Sequence, residues 1–289
     1  MKTDRSFSVT HGVLEPVAPQ IRRIVARNPG PFTFHGTGTY IVGQGKVAVI
    51  DPGPDLPEHI DTLLQALRGE TVTHILVTHT HRDHSPAAAA VKAATGAPTY
   101  GFGPHGAVGE AVEAGGDVNF VPDHVMQDGD AVEGPGWRLE AVHTPGHTSN
   151  HLCFALPQER AFFSGDHVMG WSTTVIAPPD GDMVQYMRSL ERLLPRDDAV
   201  YWPTHGGPIH KPQSHVRALI AHRKVRRSAI LAALREGPAS PLELVPKVYE
   251  ALDPRLVRAA SRSVLAHLME LADSGEVAAA DERWHLTRG

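Results

Sequence analysis

Thr78-His79-Thr80-His81-Arg82-Asp83-His84 sets four potential metal ligands within six residues. The preceding run, Val72-Thr73-His74-Ile75-Leu76-Val77, is rich in β-branched and apolar residues and reads as a strand. Ser85-Pro86 then supplies an N-cap and a first-turn proline for an alanine-rich helix reaching about Thr95. The cluster is therefore expected on a loop that strand and helix anchor at both ends. Imidazole nitrogen and carboxylate oxygen are donors that divalent cations take from proteins, and surface polarity does not account for this spacing. His79 and His81 can converge on one ion while Asp83 and His84 turn to a second, because a tight loop reverses direction between the pairs.

Strands and helices alternate outward from that loop. Upstream, Thr39-Tyr40-Ile41-Val42 and Lys46-Val47-Ala48-Val49-Ile50 flank Gly43-Gln44-Gly45 as a hairpin, and the second run ends at Asp51. Residues 57–67 carry apolar side chains at Ile60, Leu63, Leu64 and Leu67, the spacing of one helix face. Downstream, short strands are expected at residues 98–102, 118–121, 131–133, 137–142, 151–156 and 160–164, with a further helix opening at Asp182. That alternation predicts a layered α/β domain. Past Pro212 the pattern becomes helical: residues 214–236, 240–252 opened by Ser240-Pro241, and 254–273, followed by a short apolar run and Trp284-His285-Leu286. Three helices and a hairpin predict a small second domain, with residues 1–212 forming the first and 213–289 the second.

Candidate ligands for completing two sites stand at later strand ends: His147 after Thr144-Pro145-Gly146, Asp166 after Ser164-Gly165, and His205 before Gly206-Gly207. Their glycine neighbours permit the tight turns a converging site needs. Taken in this order, the motifs resemble the metallo-β-lactamase superfamily. The resemblance implies an αββα sandwich with the site at one edge. It also implies that His79, His81 and His147 hold one metal, that Asp83, His84 and His205 hold the other, that Asp166 bridges them and that Asp51 braces the site. Asn28-Pro29-Gly30-Pro31-Phe32-Thr33, Gly165-Asp166-His167-Val168-Met169-Gly170-Trp171 and His205-Gly206-Gly207-Pro208-Ile209-His210 are similar to the β-lactamase-like protein 2 group, in which a winged helix follows the hydrolase domain. Two positions depart from that group, which usually has Asn at Gly38 and Gly-Gly at Pro86-Ala87.

Composition predicts a folded core. At 41% hydrophobic and 20% charged residues the chain has the balance of a globular protein, which excludes general disorder. The single cysteine, Cys153, cannot form an internal disulfide and sits in an apolar run that assigns it to the core. No apolar run approaches the ~20 residues a membrane helix needs, and residues 1–19 lack the basic and apolar regions of a signal peptide. A cytoplasmic location is expected. Residues 1–212 carry a net charge of −8 and residues 213–289 one of +3. Arg217, Arg223, Lys224, Arg226 and Arg227 crowd one helix, where they can contact nucleic acid, solubilise the helix or face a second subunit in a homodimer.

Nitrogen and carboxylate ligands without thiolate suit zinc, and also manganese or iron. Two zinc ions sharing a water would present hydroxide to an electrophile, so the leading expectation is a hydrolase of an ester, thioester, lactone or phosphodiester. Asp83 or a metal-bound water is expected to carry the leaving group's proton. Ser172, Thr173 and Thr174 follow the bridging aspartate and are the expected substrate contacts. Three alternatives stand beside this one: an endonuclease for single-stranded RNA, a function linked to the group; a binding module for nucleic acid or a protein partner; and an iron oxygenase using only His79, His81, His147 and Asp166.

Overall fold

A computed structural model describes residues 3–106 and 115–287. Two sheets face each other. The first, in spatial order, contains β1 (Glu15–Ala18), β2 (Ile21–Val25), β3 (Gly38–Gln44), β4 (Lys46–Ile50), β5 (Thr71–Leu76), β6 (Thr99–Gly101) and β7 (His124–Val125). The second runs β12 (Val200–Pro203), β11 (Ala161–Gly165), β10 (Leu152–Leu156), β9 (Trp137–His143) and β8 (Ala131–Gly134). Period-two alternation sends the two faces of β4 to different cores. Ala48 and Ile50 meet Phe154, Phe163 and Trp202 between the sheets, whereas Val47 and Val49 pack outward against Leu63 of α1 (Pro57–Ala66) and Val91 of α2 (Ala88–Thr95). Strands covered on both faces read as unbroken apolar runs, which explains Lys46-Val47-Ala48-Val49-Ile50. On the far side, Cys153, Ala155 and Phe162 pack against α3 (Met183–Leu193) and the first half of α4 (Pro212–Leu234). The layers are therefore helix, sheet, sheet, helix.

Helix α4 serves two cores. Val216, Leu219 and Ile220 lie with the second sheet and α3, while Ile230, Ala233 and Leu234 join α5 (Pro241–Val248), α6 (Val257–Asp273) and Val277 in a separate cluster. The hairpin β13 (Val277–Ala280) and β14 (Arg283–Leu286) closes that cluster as the wing. Ser240 caps α5 in a reciprocal box with Glu243. No helix among the described residues is long and apolar enough to cross a membrane.

Some local expectations are corrected. Residues 118–121 form a turn, not a strand. Ser85 does not cap α2, which starts at Ala88; its hydroxyl donates instead to Asp117 Oδ2 at 2.6 Å, a tertiary partner that outcompetes the helix end. Helix α5 stops at Val248, before Tyr249 turns extended.

Candidate metal centre

Chain reversals at one edge of the sandwich bring the ligand candidates together. Asp51 follows β4, residues 78–84 follow β5, His147 follows β9, Asp166 follows β11 and His205 follows β12. Close packing makes glycine obligatory at two of these turns. Gly146 has φ +134°, and a Cβ there would lie 2.3 Å from the Tyr186 backbone; Gly165 has φ +51°, and a Cβ would lie 2.6 Å from His151 Nε2.

The seven side chains meet in three overlapping groups. His79, His81 and His147 present ligand atoms within 4.8 Å of one another, as do His79, His84 and Asp166, and likewise Asp83, His84 and His205. His79 Nε2 lies 2.8 Å and His147 Nε2 3.1 Å from His81 Nδ1. Asp166 Oδ2 is 3.6 Å from His84 Nε2 and 3.7 Å from His147 Nε2, while its Oδ1 is 3.4 Å from His205 Nε2. Asp166 thus stands between the two sets of histidines, and Asp83 Oδ2 lies 3.2 Å from His205 Nε2.

Outer partners fix which nitrogen faces inward. His147 Nδ1 donates to Val175 O (2.7 Å), His205 Nδ1 to Gly36 O (3.1 Å) and His84 Nδ1 to Asp51 Oδ2 (2.9 Å). His79 Nδ1 donates to Thr78 Oγ1, because that hydroxyl already donates to Asp51 Oδ2. In each neutral ring the proton sits outside, so four Nε2 lone pairs converge on one buried space. Within it neither His84 Nε2 nor Asp166 Oδ1 makes a hydrogen bond to any of the described residues. Converging lone pairs and carboxylate oxygens repel one another unless cations lie between them, so these residues fit a pair of divalent metal ions.

Electrostatics carry the same imprint. Burial opposes charge on His84, but the carboxylates of Asp83, Asp166 and Asp51 outweigh it and hold its pKa well above the usual value. Burial likewise opposes charge on His205, yet Asp166 and Asp83 raise its pKa to about 10. The reverse holds for the two acids, whose burial penalty is exceeded by His84 and His205, leaving both well below the ordinary carboxylate range.

Asp51 is the hub beneath the site. Its Oδ1 accepts from Thr78 N (2.7 Å), and its Oδ2 accepts from Thr78 Oγ1, His84 Nδ1 and Thr204 Oγ1, so one carboxylate ties both ends of the loop of residues 78–84 to the stretch that carries His205. Thr37, to which no role was given from the sequence, donates through Oγ1 to Asp83 Oδ2 at 2.9 Å and is itself held by Asn28. Gly36-Thr37-Gly38 at the entry to β3 was the available signal, since such small residues permit close approach. A Cβ at Gly38 would lie 3.1 Å from Thr204 O and 3.4 Å from Arg23 Cδ, so the Thr204 carbonyl is the tight neighbour there.

The three expected substrate contacts separate. Thr174 is buried and its hydroxyl donates to Asp166 O (2.6 Å), with His167 O 3.1 Å away. Ser172 and Thr173 are half-buried. His59 and His105, given no metal role from the sequence, bond elsewhere: His59 Nε2 to Thr39 Oγ1 and Pro52 O, and His105 Nδ1 to Thr80 Oγ1.

Comparison with known proteins agrees with this architecture. The family model described as the metallo-beta-lactamase superfamily matches residues 33–205, and that of the beta-lactamase associated winged helix domain matches residues 240–284. The chain is 32% identical over 281 residues to a beta-lactamase-like protein 2 homolog of Caenorhabditis elegans, covering 93% of this chain and 90% of that protein. It is 31% identical to an atrochrysone carboxyl ACP thioesterase of Aspergillus novofumigatus, covering 78% of this chain but only 66% of that protein. In fold it resembles a metallo-beta-lactamase family protein from Thermus thermophilus, with TM-score 0.79 at 24% identity, covering 94% of this chain and 100% of that one.

Proposed function

Since the chain belongs to the metallo-beta-lactamase superfamily, we propose that it is a hydrolase that holds two divalent ions, zinc by preference, and cleaves a thioester or ester of a small molecule. The observation that carries this reading is the set of four inward-facing Nε2 lone pairs whose outer nitrogens are all engaged. His79, His81 and His147 would hold one ion, Asp83, His84 and His205 the other, and Asp166 both. When bound, such a pair supplies Lewis acidity toward a carbonyl oxygen and lowers the pKa of water toward ~7.

The chain's own groups supply the rest. Asp83, whose side chain at 26% exposure is the most open of the acids, is fixed by Thr37 and His205. There it can take a proton from the attacking water and pass it to the departing thiolate or alkoxide as the C–S or C–O bond breaks. Ser172 and Thr173, half-buried a few residues beyond Asp166, would hydrogen-bond the substrate. The thioester preference draws support from the Aspergillus relative named as an acyl-carrier-protein thioesterase. A small molecule suits the surface better than RNA does. Of the five cations on α4, Arg223 is bonded to Thr174 O, Arg226 to Val248 O, and Arg227 to Glu270 and Glu276, which leaves Arg217 and Lys224 exposed.

The test is metal content together with rates on a thioester, a lactone, bis(p-nitrophenyl) phosphate and single-stranded RNA. Two equivalents of zinc and fastest turnover of the thioester are expected. The double variant His81→Ala with Asp166→Ala should lose both metal and at least about a thousandfold in rate, as removal of a main electrostatic stabiliser does. Undiminished metal and rate in that variant would overturn the assignment. One iron and no zinc would favour oxygen chemistry instead.

A further inference from the structure

Residues 174–178 run between the metal centre and the C-terminal helices, and their bonds alternate. Toward the helices, Thr174 O accepts from Arg223 Nη2 of α4, Ile176 N donates to Ser263 Oγ of α6 at 3.3 Å, and Pro178 O accepts from Arg262 of α6. Toward the metal centre, Val175 O receives the proton of His147 Nδ1, and Thr174 Oγ1 donates to Asp166 O. A period of two is that of extended backbone, so fixing one edge of the segment fixes the other.

Arg223 reaches His147 by a second route. It is 2% exposed, and its guanidinium lies 5.1 Å from the ring centroid of Tyr186. The backbone of Tyr186 presses against Gly146, the residue before His147. The guanidinium Nε is buried without a hydrogen bond to any of the described residues. An apolar side chain of similar volume would fill this space at less desolvation cost, so packing alone does not explain a cation here.

We propose that Arg223 and Ser263 are positioning residues for the metal centre: from the C-terminal helices they hold the segment that sets the orientation of His147 and Asp166. The inference rests on the dinuclear reading above. It requires an asymmetric effect, because His84 and His205 are braced by Asp51 and Gly36, neither of which the C-terminal helices hold through these bonds.

The experiment is stepwise zinc affinity by competition with a chromophoric chelator, alongside the visible spectrum of the cobalt-loaded protein, for Arg223→Met, Arg223→Lys, Ser263→Ala and the control Arg226→Met. Arg226 is a matched control, since it too bonds a carbonyl and lies over a ring, Tyr249, but within the C-terminal cluster. In Arg223→Met the site that holds His147 should weaken roughly tenfold, the low end for an outer-shell change, with an altered cobalt spectrum, and the other site, which shares only Asp166, should weaken less. Arg223→Lys should recover part of the loss, Ser263→Ala should weaken the same site less, and Arg226→Met should leave both affinities unchanged. If Arg223→Met does not fold, Ser263→Ala and Arg223→Lys decide. Equal weakening of both sites, or unchanged affinity in all three variants of Arg223 and Ser263, overturns the proposal while the dinuclear reading stands. Failure of the unaltered protein to bind two ions instead sinks that reading and this inference with it.

Discussion

The loop of residues 78–84 and the segment of residues 174–178 both orient metal-site histidines, but they are held in different ways. The first is tied from below by Asp51, a carboxylate at the end of a neighbouring strand in the same sheet. The second is gripped from outside by α4 and α6. Four of the seven ligand candidates are thus tied within the sandwich, whereas His147 and Asp166 bond to a segment that elements following it in the chain hold. A site can be contiguous in space and yet draw its rigidity from two independent sources.

Asp51→Ala puts this contrast under the greatest load. It orphans Thr78 N and Thr78 Oγ1, frees His84 to turn and unties Thr204, so a stability loss of about 3–5 kcal/mol and loss of the ion nearest His84 are expected. Thermal unfolding and metal analysis check both. Next in size is ligation itself: zinc at 100 times its dissociation constant should add about 2.7 kcal/mol to stability, and chelation should remove it. A melting temperature unmoved by chelator would contradict any ion in this space. Thr174→Val should cost about 1–3 kcal/mol, because Asp166 O loses its buried donor while His167 O keeps Tyr186 Oη, and should lower the affinity for both zinc ions that Asp166 would hold. Equilibrium denaturation gives the first number and chelator competition the second.

The smallest effect concerns the helices that grip the second segment. Burial, with Arg226 and Arg223 beside it, lowers the pKa of His222 on α4 to about 4. Above the unfolded value near 6.5 the ring is neutral in both states; as pH falls from there toward 4 the unfolded chain gains a proton that the folded chain refuses. Stability should therefore decline across that window, and His222→Gln should flatten the decline in urea titrations at stepped pH.

The first region was legible in the sequence and the second was not, for a physical reason. Four potential ligands within six residues on a strand-to-helix loop are a local pattern, and resemblance extended it to His147, Asp166 and His205. The strands β3 to β5 were legible as apolar runs, but β1 and β2 were not. In β2 two arginines interrupt the pattern, and they are tolerated because Arg22 pairs with Glu70 and Arg23 with Glu15, contacts no window of sequence displays. The arginines of α4 mislead in the same way, since a cation bonded to a distant carbonyl looks the same in sequence as one awaiting phosphate. Thr37 and Val175 act through a hydroxyl and a carbonyl whose partners lie 46 and 28 residues away.

The 23-residue α4, about 34 Å long at 1.5 Å per residue, is a splint shared by both cores. A cut placed before it would strip Val216, Leu219 and Ile220 from the face of α3 and leave a greasy trench on the severed fragment, inviting clumping rather than a tidy half-enzyme. Anyone wishing to graft a different tail onto this hydrolase, or evolution in doing so, would have to keep the first half of that rod and splice beyond it.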